Sequence, residues 1–81
     1  MMTAAQLRMA RAALGWSVRD LAKKAQVNAN TITRIENGAD ALAGTLTRIQ
    51  TTLEEAGVVF IPGNGHEPTV GLKKKPLNPS S

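Results

Sequence analysis

The stretch NANTITRIENG, residues 28–38, sets amides, a hydroxyl and a guanidinium at helical spacing. Ala29, Asn30, Thr33, Arg34 and Asn37 would face outward, while Ile32 and Ile35 would face a core together. A helix that meets only water usually carries Glu and Lys, which favour both helix and solubility. These outward side chains suit base edges instead. Asn can bond adenine bidentately, Arg can bond guanine, and the methyls of Thr or Ala can touch the thymine methyl. The major groove of B-DNA is about 12 Å wide and admits one helix if its side chains are short. The face therefore points to base contact by Ala29, Asn30, Thr33 and Arg34. The plain alternative is a solvated helix surface with no partner.

Composition narrows the rest. A chain of 81 residues allows one small domain and one modest core. Without cysteine there are no disulfides and no thiolate zinc sites. A single His66 and six scattered carboxylates argue against a dedicated metal site, and no cofactor is expected. Ten Lys and Arg against six Asp and Glu give a formal net charge of +4, which favours a polyanionic partner. The only aromatic residues are Trp16 and Phe60, so stacking on single-stranded bases is poorly supported. No nucleophile–base pair or paired-carboxylate cleft is legible, and PGNGHEP lacks the spacing of a phosphate loop, so no enzyme is expected. No apolar run reaches membrane length and no signal-peptide pattern appears, so the expected location is cytoplasmic.

Positioning such a helix requires others behind it. Residues 3–14 read as a helix opened by a Thr3/Gln6 capping box and stopped at Gly15, with Leu7, Ala10 and Leu14 on one face. Trp16 should pack on the core from the connection. Ser17 should cap a second helix, with Asp20 three residues on and Val18, Leu21, Ala22 and Ala25 as its buried stripe. After a tight turn at QVN, Asn28 should cap the third helix and Gly38 end it. A fourth helix should start at Asp40 or nearer Thr45. Its stripe would be Leu46, Ile49 and Leu53, with Leu42 or Ala56, and Gly57 its stop. VVFI then reads as a strand, and TVGLKKK as a second one. Lys73, Lys74 and Lys75 form a basic run that is either a solubilising tail or a phosphate-binding arm.

Two helices of about eight residues joined by a three- to four-residue turn make a helix-turn-helix. Ala22 and Ala25 supply the small residues that a steep crossing needs, and Val27 plugs the turn. The segment WSVRDLAKKAQVNANTITRIENG resembles the helix-turn-helix of the phage repressor and Cro family, the xenobiotic-response-element-type regulators. The family pattern runs S-Q-x-x-L-A-x-x-x-G-V-S-x-x-T-I-S-x-I-E-N-G. Leu21, Ala22, Val27, Ile32, Ile35, Glu36, Asn37 and Gly38 agree with it in spacing. The resemblance covers residues 3 to about 57. It implies base contacts from Ala29, Asn30, Thr33 and Arg34, and phosphate contacts from Ser17 and Asn37. It also implies a buried ion bridge between Arg11 and Glu36. Arg19 is the best further phosphate candidate on the second helix, ahead of Lys23 and Lys24. Two departures stand out. Val18 replaces the common Gln, and Gln26 replaces the usual Gly where positive φ is expected.

The expected fold is therefore mainly α, a lambda-repressor-like bundle of four to five helices with a short C-terminal β-hairpin or dimerising strand. Residues 1–57 would form the DNA-binding domain, 58–75 a strand or hairpin extension suited to dimerisation, and 76–81 a disordered tail. The expected function is sequence-specific binding of double-stranded DNA by a transcriptional regulator, a repressor acting as a homodimer on an inverted repeat. The alternatives are an antitoxin, whose residues 58–81 would wrap a toxin partner, a controller protein of a restriction–modification operon, or a protein-interaction module that has lost DNA binding.

Overall fold

A computed structural model of the chain describes residues 2–74; Lys75 and the expected tail 76–81 lie outside them. The element order is α1 (Ala4–Leu14), α2 (Val18–Ala25), α3 (Ala29–Glu36), α4 (Ala43–Glu55), β1 (Val58–Ile61) and β2 (Thr69–Leu72). Four helices and one antiparallel hairpin thus make up the described residues, and no helix among them is long and apolar enough to cross a membrane.

Local chemistry sets the helix limits. Thr3 and Gln6 close a reciprocal capping box on α1, and Ser17 and Asp20 do the same on α2. Asn28 caps α3 by accepting from the Asn30 N–H at 2.8 Å. After α3 the chain turns through Asn37 and Gly38, and Gly38 adopts φ 94°. That left-handed value suits glycine and lets the Ala39 N–H return to the Arg34 carbonyl at 2.9 Å.

The fourth helix starts at Ala43, nearer Thr45 than Asp40. Asp40 does not cap it; Leu42 takes the cap position with no side-chain hydrogen bond. Leu42 is 80 % exposed and Ala56 is exposed too, so neither joins the buried stripe. Half-buried Ala41 packs on the core just before the helix, and α4 faces inward through Leu46, Ile49 and Leu53. The core is one cluster, with Leu7, Leu21, Ile32, Ile49, Leu53 and Val58 its largest fully buried members. Trp16 and Val27 pack against it from the connections, and Val18 from the first turn of α2, as their apolar bodies require.

The hairpin pairs within one chain, Val58 opposite Leu72 and Ile61 opposite Thr69. Gly57, at φ 107°, permits the sharp passage from α4 into β1. The hairpin packs on α1 and α4, whereas α3 packs on α1 and α2. Gln6 joins hairpin to bundle. Its side-chain N–H group donates to the Ile61 carbonyl at 3.2 Å and the Thr69 carbonyl at 2.9 Å, and its oxygen accepts from the Thr3 N–H. This amide is 4 % exposed and fully satisfied, which is how a polar group is tolerated at such depth.

Gln26 adopts the left-handed conformation expected at that position, φ 57° and ψ 47°. The Arg48 guanidinium donates to its carbonyl at 3.4 Å and braces the turn from α4. A side chain in this region is strained by roughly 1 kcal/mol against glycine. Gln26→Gly is therefore expected to stabilise the fold by about 0.5–1 kcal/mol in urea denaturation. No change, or a loss, would show that the αL geometry stores no strain.

Candidate nucleic-acid interface

α3 has two unlike sides. Ile32, Ile35 and Glu36 are buried. Asn30, Thr33, Arg34 and Asn37 are exposed at spacings of three and four, so they lie in one row. Two helix-packing partners, α1 and α2, hold the opposite side.

The rotation of that row is set by an ion pair. Arg11 Nε donates to Glu36 Oε2 at 2.8 Å and Arg11 Nη2 to Glu36 Oε1 at 3.0 Å, a two-point fork. Arg11 Nη1 donates to the Trp16 carbonyl at 3.0 Å. The Glu36 side chain is only 8 % exposed and that of Arg11 25 %. Glu36 holds Arg11 still more firmly protonated than usual; its hydrogen bond outweighs the burial that acts the other way. Arg8 adds a hydrogen bond to the Glu36 backbone carbonyl, at the end of α3 where bare carbonyls concentrate negative charge.

Side-chain chemistry along the row can be read group by group. The Asn30 and Arg34 side chains make no hydrogen bond among the described residues, so their donors are free for a ligand. The Thr33 hydroxyl donates to the Ala29 carbonyl at 3.3 Å, which leaves its lone pairs and methyl outward. Ala29 differs from the expectation of a base-facing methyl: it is half-buried and packs against the core. Arg34 lines a shallow cavity of about 180 Å³ with Asp40, Leu42 and Thr45 at the approach to α4.

Around the row, Ser17, Arg19 and Asn37 are all exposed. Ser17 lies at the start of α2, and its Oγ accepts from the Asp20 N–H at 3.0 Å. The Ser17 N–H is already taken by the Asp20 carboxylate at 2.9 Å, so only its hydroxyl proton remains to offer an anion. Those hydrogen bonds from Ser17, the backbone one foremost, hold the Asp20 carboxyl below its ordinary range, with Lys24 and Lys23 assisting. Lys24 also lies 5.0 Å over the Trp16 ring, which draws it from the free cations of α2 towards a structural contact.

Three contributors escape a reading of the sequence. Gln6 reads as a cap and nothing more, yet it also anchors the hairpin. Arg8 sits one turn before Arg11, and only that i, i+3 spacing hints that both reach α3. Nothing local marks Arg48, because its partner is a backbone carbonyl on a distant turn.

A family model described as a helix-turn-helix domain matches residues 4–54, from the start of α1 to the last turn of α4. No curated protein matches the chain.

Glu36→Gln would leave Arg11 facing a neutral amide in a half-dry site. It is expected to destabilise the fold by about 2–4 kcal/mol in urea denaturation. A loss under ~0.5 kcal/mol would mean the pair is structurally idle. The Asp20 cap has a pH signature. A carboxyl held low in the folded state stabilises above its unfolded value, about 3.9, and that stabilisation fades as pH falls through the folded value. The stability difference between the native chain and Asp20→Asn should therefore be flat near neutrality and shrink below about pH 4. A difference that instead grows on acidification would contradict the assigned direction.

Proposed function

Because the chain belongs to the helix-turn-helix domain family, we propose that it is a sequence-specific regulator of transcription that binds double-stranded DNA as a homodimer. The observation that supports this reading is the exposed row Asn30, Thr33, Arg34 and Asn37, turned outward by a helix whose other side is fully engaged.

In this mechanism α3 enters the major groove with its N-terminal half. Arg34 pairs with a guanine edge and Asn30 with an adenine edge. Thr33, its proton held by Ala29, offers a methyl to thymine and a lone pair to a base amino group. Ala29 supplies close approach of the backbone at the edge of the row. The Ser17 hydroxyl, Arg19 and Asn37 contact phosphates and fix the register without reading sequence. Val18, where family members commonly have Gln, removes one such contact.

One short helix reads few bases, so specific affinity favours two copies related by a two-fold axis. Their α3 helices would enter successive major grooves about 34–36 Å apart, and the site would be an inverted repeat. Occupying such a site excludes polymerase from it, and repression is the sign of control proposed.

Selection of bound duplexes from a random library near physiological salt tests the reading. An inverted repeat with half-sites one helical turn apart is the expected result; retention without any motif would reduce the chain to a non-specific basic domain. Arg34→Ala is expected to weaken the selected site by about 1–3 kcal/mol and relax one base position. An equal loss on random DNA would place Arg34 on phosphate instead.

A further inference from the structure

We propose that Asn64 and Gly65, in the hairpin loop, form a site of spontaneous covalent modification, where the Asn64 side chain loses ammonia through a cyclic imide. The same dipeptide at Asn37 and Gly38 is protected by the end of α3. Neither site's chemistry depends on the regulatory reading above.

The sequence holds Asn-Gly twice. The reaction needs only that pair and water. The glycine main-chain nitrogen gives up its proton and attacks the asparagine Cγ. The N–Cγ bond forms, the Cγ–Nδ2 bond breaks, and the side-chain nitrogen takes up a proton and leaves as ammonia. Water then opens the imide. Opening at Cγ yields aspartate; opening at the main-chain carbonyl yields isoaspartate, with the chain rerouted through Cβ and Cγ. Glycine favours closure because it has no Cβ to crowd the ring. Asn28 and Asn30 instead precede Ala and Thr, which do.

Exposure does not separate the two pairs, since Asn37 and Asn64 both face solvent. Backbone geometry does. Closure needs the glycine nitrogen rotated towards the asparagine side chain, with its N–H free. At Asn37 ψ is 10°, which sets the Gly38 nitrogen beside the nitrogen of Asn37 itself rather than beside Cβ. The Gly38 N–H is spent on the Ile35 carbonyl at 3.0 Å. On either side, the Asn37 N–H donates to the Thr33 and Arg34 carbonyls, and the Ala39 N–H to that of Arg34. Rotating ψ therefore means opening the last turn of α3, whose Glu36 is itself forked to Arg11.

The hairpin loop lacks such restraints. Among the described residues the Gly65 N–H donates to no carbonyl, and a Cβ placed on Gly65 would meet nothing within 4 Å. Asn64 has glycine on both sides, so rotation about its Cα–C bond meets little steric resistance. A Cβ on Gly63 would strike the His66 carbonyl, so the chain doubles back here with Asn64 and Gly65 at its apex. Below the apex, Gln6 ties Ile61 to Thr69. The added carboxylate, and the extra backbone methylene of isoaspartate, thus fall outside the anchored strands.

Incubation of the full-length chain in mildly alkaline buffer at physiological temperature tests this, with peptide mapping that separates Asn, Asp and isoaspartyl products. Modification at residue 64 should run about ten-fold or more faster than at residue 37, as expected when one site is open and the other reacts only after local opening. In urea sufficient to unfold the chain, the two rates should fall within about three-fold of each other, because the fold no longer distinguishes them. Equal rates in the folded chain, or faster reaction at residue 37, overturn the proposal. A difference that persists in urea overturns it too, since flanking sequence rather than the fold would then set the rates.

Discussion

The fork between Arg11 and Glu36 is the constraint on which the site depends. Glu36 is the last residue of α3, where the helix dipole already concentrates negative charge, and its side chain is almost dry. A carboxylate there is tolerated only beside a cation. Arg11 supplies that cation from α1, and Arg8 meets the adjoining backbone carbonyl. Because a forked guanidinium demands a planar, two-point match, the pair sets more than distance. It fixes how α3 is rotated about its own axis, and hence which side chains face out.

That external fixing explains the composition of α3. Eight residues do not form a stable helix alone in water, and Thr and Asn are weak helix formers. Helical stability must come from the buried side, from Ile32 and Ile35, and from the Asn28 cap. Once it does, the outward side chains are free of any duty to the fold. The same logic holds for α2, also eight residues long, with its Ser17–Asp20 box and its alanines against the core. Short helices with local caps and shared burial can therefore present side chains chosen for what they touch.

Much of this was legible in the sequence because its determinants are local. Thr3 and Gln6, Ser17 and Asp20, and Asn28 announce helix starts within four residues, and the structure puts the caps there. The left-handed turn at Gln26 follows from the turn's position in the motif. What stayed illegible is non-local. Leu42 looks like a stripe residue by spacing, but the approach of Ala41 to the core turns it to solvent. Whether VVFI would pair within the chain or with another copy depends on a loop closure that periodicity does not encode; the register with TVGL settles it for one edge only. Ala29 shows the limit within the site, because a small residue beside the core suits packing and groove approach equally.

α1 gives these parts a common frame. Gln6, near its start, holds both strands of the hairpin, and Arg8 and Arg11, further along the same helix, hold the end of α3. The hairpin and the reading helix thus take their positions from one rigid element of 11 residues. Packed interiors yield little to small forces, so such an element transmits position rather than absorbing it. Hairpin and reading helix therefore hold a fixed relation to each other through α1, with no flexible linker between. The chemistry that fastens the two ends of α1 would then matter to recognition even though none of it touches a base.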